Sequence, residues 1–232
     1  METLQIIYQP IKLSSPLARL GLLLTLAGLV SIFVFVTSFK LAIIISLVTL
    51  ISLCFIKWLA LKSTVSYTLT ATHFQQHLFK GGWVVKWNNI VKIGVCHCDQ
   101  QGWQQPLPWI GIKLKNYSPY LDSICPRIAT DILLSQRALL YIGMKQSILD
   151  AHFEDIVLDS QPYKNEQGSE YKGLQAMLAN RMRHQRNYFD YDIFISAQDI
   201  DRTAEEFVGL ARRYLAAAER QHEEQLIDNK CQ

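Results

Sequence analysis

Charge is what the first quarter of the chain lacks. No charged residue lies between Leu20 and Phe39, and none lies between Leu41 and Ile56. Acid is scarcer still, since Glu2 is the only carboxylate before Lys62. Signatures of chemistry are missing as well. There is no glycine-rich phosphate loop, no G-x-S-x-G elbow, no H-E-x-x-H helix and no dinucleotide fingerprint. These absences argue against the enzyme classes that such motifs mark. A paired-cysteine framework is lacking too: the five cysteines are odd in number and scattered at Cys54, Cys96, Cys98, Cys125 and Cys231, a pattern of free thiols. Finally, the net charge of +3 is carried by Lys12, Arg19, Lys40, Lys57 and Lys62 against Glu2, while the rest of the 232 residues is nearly balanced. A nucleic-acid partner is therefore not expected.

What stands in place of charge is a pair of apolar blocks separated by Thr37-Ser38-Phe39-Lys40. A helix that crosses the ~30 Å hydrocarbon layer needs about 20 mostly apolar residues. The first block has that length. The second reaches it by running on to Leu61, with the Lys57 stem and the Trp58 ring at the lipid–water boundary and Lys62 beyond. A cleaved signal peptide fits less well, because the run is too long, lacks a small-residue cleavage site and is followed at once by a second span. Small or hydroxyl residues at helical spacing, Gly21, Thr25 and Gly28, then Ser46, Thr49 and Ser52, are read as faces where the two helices approach each other. Basic residues flank the outer ends and only Lys40 marks the turn, so both termini are expected in the cytoplasm of a multi-pass inner-membrane protein. This reading divides the chain into an N-terminal segment (1–16), a transmembrane hairpin (17–62), a cytoplasmic domain (63–220) and a polar tail (221–232).

After Thr64 the apolar period changes to two. Val65, Tyr67, Leu69 and Ala71 alternate with hydroxyl residues, predicting a half-buried strand. Further strands are expected over 73–79, 83–86, 90–98 and 107–114, with turns at Lys80-Gly81-Gly82 and Asn88-Asn89 and a loop over 99–105. Residues 116–187 read as a mostly helical insertion: a helix from Asp131 to Ile142 ended by Gly143, a short amphipathic turn with Leu149, Phe153 and Ile156, a polar loop over 161–168, and a one-sided helix bearing Leu174, Met177, Leu178 and Met182. Phe189, Tyr191, Ile193 and Ile195 return to the strand period. Thr203-Ala-Glu-Glu206 is a capping box that opens a last helix with the stripe Phe207, Leu210, Ala211, Tyr214, Leu215 and Ala218, expected to fray after Gln221.

The residues Tyr67-Thr-Leu-Thr70, Phe74, Gly81-Gly82, Trp87-Asn-Asn-Ile90 and Ile93 resemble the opening of bacterial pleckstrin-homology-like domains. Tyr191-Asp-Ile193, Ala197 and Ala204-Glu-Glu-Phe207 through Tyr214 resemble the closing strand and helix of that fold. The whole layout is similar to a family of uncharacterised gammaproteobacterial two-span inner-membrane proteins. The resemblance implies an α+β protein: an N-terminal transmembrane helical hairpin, then an antiparallel PH-like β domain with a C-terminal capping helix. The insertion at 116–187 departs from the minimal fold. The fold hosts lipid, peptide and self-association roles and does not choose among them.

Three clusters invite a chemical reading. Cys96-His97-Cys98 supplies two thiols on one strand face and an imidazole on the other, which is short of a tetrahedral metal set; His73 and His77 share a face but need not meet the thiols. Asp190 and Asp192, with Asp199 and Asp201, are paired carboxylates whose plainer reading is a solvated edge and turn. Arg181, Arg183, His184 and Arg186 form the densest basic run of the domain, beside the apolar stripe of their helix. They are the candidate contact for an anionic lipid or a partner, weighed against packing on the domain with salt bridges to Glu166 and Glu170. No catalytic residue, metal or cofactor is assigned. The expectation is a non-catalytic, membrane-anchored domain that binds another membrane protein or itself, with anionic-headgroup binding as the first alternative and a metal-dependent enzyme as the second.

Overall fold

The computed structural model describes residues 3–8, 16, 20, 21, 23–25, 27, 28, 31, 39–100, 103–146 and 153–230. It separates into two units, Gln9–Thr64 and the combination of Met1–Tyr8 with Val65–Gln232.

The first unit contains helix α1, Phe39–Lys62. Its 23 residues from Lys40 to Lys62 are long and apolar enough to cross a membrane. Leu41, Ile44, Leu47, Val48, Leu50, Ile51 and Phe55 are exposed around its circumference, a distribution that suits lipid better than a one-sided protein core. The hydroxyls of Ser46, Thr49 and Ser52 donate to the carbonyls of Ala42, Ile45 and Val48 at 2.8, 2.8 and 2.9 Å. Each is thus satisfied within its own helix. At the far end Phe55 stacks on Trp58 at 5.7 Å, and Lys62 Nζ lies 4.7 Å from the Trp58 ring centroid, with Lys57 exposed beside them. The other predicted membrane helix, over Leu20–Phe39, lies mostly outside the described residues, as does most of the segment 9–16. Gly21, Thr25 and Gly28 are described and helical.

The second unit is mixed α+β with antiparallel sheets. A four-stranded sheet has the order β1 (Leu4–Tyr8), β2 (Val65–Leu69), β3 (His73–Leu78), β4 (Gly81–Lys86). After a 3-10 turn at Trp87–Asn89, β5 (Ile90–Gln100) and β6 (Trp103–Leu114) form a long hairpin. The chain then runs through α2 (Ser118–Ser123), α3 (Pro126–Ser135), α4 (Arg137–Gln146), α5 (Phe153–Val157), the small hairpin β7 (Tyr163–Lys164) and β8 (Glu170–Tyr171), and α6 (Leu174–Phe189). It returns as β9 (Ile193–Ser196), which pairs with β6 to complete a three-stranded sheet β5-β6-β9. A second 3-10 turn (Ala197–Asp199) leads to the closing helix α7, Ala204–Lys230.

Alternation explains the core. Ile6, Tyr67, Leu69, Phe74, Trp83 and Val85 from the first sheet, and Ile93, Ile110, Ile112 and Ile195 from the second, bury their inward faces against Phe207, Ala211 and Leu215 of α7. Aromatic rings carry much of the contact. Phe74 meets Trp83 edge-on at 5.4 Å and stacks on Trp87 at 5.7 Å, while Phe207 meets Tyr67 at 5.8 Å. Such pairs contribute about 0.5–1.5 kcal/mol each beyond their buried area. Trp87 Nε1 donates to Thr70 O at 2.8 Å, so its one polar atom is satisfied inside. The capping box forms, with Glu206 N donating to Thr203 Oγ1 at 3.3 Å and Thr203 N to Glu206 Oε2 at 3.4 Å.

Several boundaries differ from the sequence reading, each for a local reason. Leu4–Tyr8, read as part of a separate N-terminal segment, is the edge strand of the first sheet, because Ile6 finds the same core as Tyr67. The turn between β3 and β4 is Phe79-Lys80; the glycines open β4, where a Cβ on Gly82 would lie 1.9 Å from Gln76 O. The expected loop over 99–105 is the tip of the β5–β6 hairpin, pairing out to Gln100 and Trp103. The predicted helix 131–142 is two helices that break at Gln136, whose buried amide donates to Phe194 O at 3.3 Å and accepts from Gln185 Nε2. Gly143 sits inside α4, packed under Tyr188 and Phe189. Phe189 ends α6 instead of starting a strand, and α7 continues past Gln221 to Lys230. Leu149 lies outside the described residues; Phe153 and Ile156 lie in α5.

Candidate functional site

The densest polar construction in the domain lies where the helical insertion rejoins the sheet. Helix α6 is capped by Asp190, whose φ of 62° places it in the left-handed region that tolerates Asp and Asn better than branched residues. That reversal delivers Tyr191 and Asp192 to the end of β6. The Asp192 backbone N–H donates to Ile112 O at 2.9 Å, and its carboxylate is fully buried. Leu114 N donates to Asp192 Oδ2 at 2.7 Å and Tyr117 OH to Oδ1 at 2.8 Å. Arg186 Nε donates to Oδ1 at 2.6 Å, and Arg186 Nη2 donates to Oδ2 and also to Leu114 O. The guanidinium lies 4.8 Å from the centroid of the Tyr117 ring. A buried charge is tolerable only when paired and fully hydrogen-bonded, and Asp192 meets both conditions. The bond to Asp192 raises the Arg186 pKa, and burial, reinforced by Asp192, raises that of the Tyr117 phenol.

Above this clasp is a cavity of about 220 Å³ lined by Lys115, Tyr117, Tyr163, Asn165, Glu166, Arg183 and Arg186, with Asn116. Tyr163 packs 5.9 Å from Tyr117 and 6.2 Å from Tyr171, which fixes the β7–β8 hairpin as one wall. Asn165 Nδ2 donates to Ser118 Oγ at 2.8 Å. A neighbouring polar group decorates the outer side of the same corner: Asp190 accepts from Lys92 Nζ at 2.6 Å and Lys113 Nζ at 2.5 Å, and these bonds lower its pKa, with Lys113 contributing more. Next to it the Tyr191 ring lies over the cross-strand pair Gly94 and Gly111.

The four residues of the basic run on α6 do not share one surface. Arg181 is buried, 2% exposed, with Nη2 donating to Val157 O at 3.2 Å and with no hydrogen-bond partner for Nε or Nη1 among the described residues. Burial, and then Arg137, push its guanidinium down to about 10. His184 faces Asp159 at 3.7 Å, and its pKa is lowered by burial and by Arg183. Only Arg183 and Arg186, three residues apart on one helix face, reach the cavity. The salt bridges weighed to Glu166 and Glu170 are not among those observed for this run; Asp159 and Asp192 take that role.

Cys96 and Cys98 are both buried on one face and His97 is exposed, as their strand spacing requires. Burial pushes the Cys96 thiol up to about 12, and Cys98 Sγ accepts from Gln146 Nε2. His73 and His77 bond to threonines of their own hairpin, His73 Nδ1 to Thr70 and Thr72 and His77 Nε2 to Thr68. Asp190 and Asp192 diverge, one to the lysines and one to the interior. Asp199 is half-buried with its pKa raised by desolvation, and Asp201 pairs with Arg202 at 2.8 Å. Among the described residues no group of three or more His, Cys, Asp or Glu is placed to hold a metal ion.

Sequence reasoning missed Lys115, Tyr117 and Tyr163 as neighbours of Arg186, because the contact joins β6, α2, β7 and α6 across the insertion. The available signal was the Arg186-x5-Asp192 spacing, which spans a helix end and lets an arginine reach the first turn beyond it.

The family described as "Protein of unknown function (DUF2982)" matches residues 67–217 of the chain. No curated protein and no solved structure matches it.

Proposed function

We propose that this chain, which belongs to the family described as Protein of unknown function (DUF2982), is a multi-pass inner-membrane protein. Its cytoplasmic domain is PH-like and non-catalytic, and it binds a partner protein or a second copy at the membrane surface. One observation carries this reading. Tyr8 and Val65 are direct antiparallel partners, so the strand before the apolar segment and the strand after it end side by side. Partnered Cα atoms lie about 4.5–5.5 Å apart. The segment Gln9–Thr64 therefore departs from and returns to one edge of the domain. Helix α1, at 1.5 Å per residue, accounts for a leg of about 35 Å, close to the thickness of a bilayer. A single crossing would leave β1 and β2 on opposite sides of the lipid. The pairing supports an even number of crossings, with the uncharged stretch Leu20–Phe39 as the second leg.

The PH-like reading is supported by the plan of four antiparallel strands, three antiparallel strands and a closing helix, with α2–α6 inserted before the last strand. The membrane hairpin is then an insertion between the first and second strands. The non-catalytic reading is supported by the state of the candidate groups: Cys96 is held as a protonated thiol, and Asp190 and Asp192 are committed to salt bridges. The test is crosslinking in intact membranes followed by mass spectrometry. A defined heteromer or homo-oligomer is expected; a protein recovered only as a solitary chain at several crosslinker lengths counts against the partner-binding role.

A second reading, anionic-headgroup binding, is favoured by the cavity that Lys115, Arg183 and Arg186 share.

A further inference from the structure

We infer that the cavity at the junction of β6, β7 and α6 is an anion-binding site for a phosphate ester. This inference deepens the headgroup reading, but its binding chemistry does not depend on the chain's topology. The cavity is about 220 Å³, smaller than the ~300–1,000 Å³ of pockets that enclose whole drug-sized ligands. It suits one charged group with a few further atoms. Three cations border it, Lys115, Arg183 and Arg186, against one carboxylate at the rim, Glu166.

Arg186 is the pre-organised member. Its Nε and Nη2 are spent on Asp192 and on Leu114 O, which fixes the plane of the guanidinium, and Nη1 has no partner among the described residues. The Arg186 side chain is 31% exposed while Asp192 below it is fully buried, so the open part of the guanidinium is on the cavity side. Arg183 is 57% exposed and only 4.0 Å from Asp159, a loose pairing that leaves its head available to a ligand. The Tyr163 phenol sits within the field of Arg183 and Arg186, both of which oppose the rise that burial imposes on its pKa. It adds a neutral donor on the β7 wall. A planar guanidinium held by a carboxylate, a second, more exposed cation and a phenol donor are suited to the tetrahedral oxygens of phosphate. A phosphate monoester or diester is bound, with Glu166 disfavouring ligands of higher negative charge. The same chemistry is offered by a soluble phosphate ester and by a glycerophospholipid headgroup.

The experiment uses the full-length chain in a neutral detergent, titrated with sn-glycerol 3-phosphate and with inorganic phosphate at constant ionic strength. Binding is read as the shift in thermal unfolding. A parallel arm compares the chain in nanodiscs of phosphatidylcholine and of phosphatidylglycerol. The double variant Lys115→Gln/Arg183→Gln is the main probe, since both side chains are exposed and neither holds Asp192. It should unfold like the parent without ligand and bind at least tenfold more weakly, because two charged hydrogen-bond donors are lost. Glu166→Gln should bind severalfold more tightly. Saturable stabilisation by glycerol 3-phosphate that follows this pattern supports the site with a soluble ligand. Stabilisation confined to phosphatidylglycerol nanodiscs, again lost in the double variant, supports it with lipid as the source. No stabilisation in either arm, or stabilisation equal in parent and double variant, overturns the site whether or not the chain proves to span a membrane.

Discussion

At the scale of single residues, the buried cation Arg181 is the clearest cost in the fold. It is 2% exposed, its Nε and Nη1 have no hydrogen-bond partner among the described residues, and Arg137 repels it. A buried polar group left without partners costs about 1–3 kcal/mol, and replacing buried ionic groups with well-packed apolar side chains of similar volume is often neutral or stabilising. Arg181→Met should therefore raise stability by about 1–2 kcal/mol in urea unfolding, whereas Arg181→Ala should lower it through lost packing. A destabilised Met variant would mean that the guanidinium has a counter-ion in the native protein. The glycine pair beneath Tyr191 is the opposite case, a place with no room. A Cβ on Gly111 would stand 2.2 Å from Tyr191 Cγ. Gly111→Ala should cost about 2–3 kcal/mol, and adding Tyr191→Ala should recover part of that cost, because the two changes share one contact. Additive losses in that double-mutant cycle would contradict the packing. Ionisable groups in the core set the alkaline limit. Cys96 is pushed up to about 12, and Tyr67 and Tyr120 are pushed far above their ordinary range, all chiefly by burial. Between pH 9 and 12 the unfolded chain loses these protons and the folded chain keeps them, so stability falls as pH rises through that window. In line with this, Cys96 should resist iodoacetamide at pH 8 until the chain is unfolded; rapid labelling of native protein would refute the buried-thiol assignment.

At the scale of elements, most strands and the two long helices of the domain were legible, because each buries one face. The alternation around Tyr67 and Leu69 and the stripe from Phe207 to Leu215 declare their periods without help from distant residues. What was illegible depended on contacts far away in the chain. Gln136 breaks a helix because Phe194 O and Gln185 offer its amide partners, and neither is apparent from the local pattern. The cavity was half legible: Arg183 and Arg186 stood out as basic, but Tyr117, Tyr163 and Lys115 join them only through the tertiary path of the insertion. Strand β1 is the element least legible in the sequence. Five residues before a long apolar segment carry too weak a pattern to announce a place in a sheet that closes about sixty residues later. Its membership has a direct consequence. Ile6 is 2% exposed, so Ile6→Ala should destabilise the domain by about 3 kcal/mol, as for other buried Ile-to-Ala changes. Unfolding followed by tryptophan fluorescence reports this, because Trp83 and Trp87 lie in the same core. An unchanged midpoint would mean that β1 does not dock.

At the scale of the whole molecule, the family match begins at residue 67 and ends at residue 217, yet the sheet begins at Leu4. The domain is thus completed by residues that precede the long apolar segment in sequence. On the proposed two-span topology, this arrangement ties folding to insertion: the first sheet gains its edge strand only when both ends of the apolar excursion are on one side. The most direct measurement is labelling of spheroplasts with a membrane-impermeant maleimide, with modified peptides identified by mass spectrometry. Cysteines are placed at Lys40, at the start of α1, and at Gln5, on the exposed side of β1. With two spans and cytoplasmic termini, Lys40→Cys is modified in sealed spheroplasts and Gln5→Cys only after lysis. Modification of Gln5→Cys before lysis, or protection of Lys40→Cys until lysis, would contradict it.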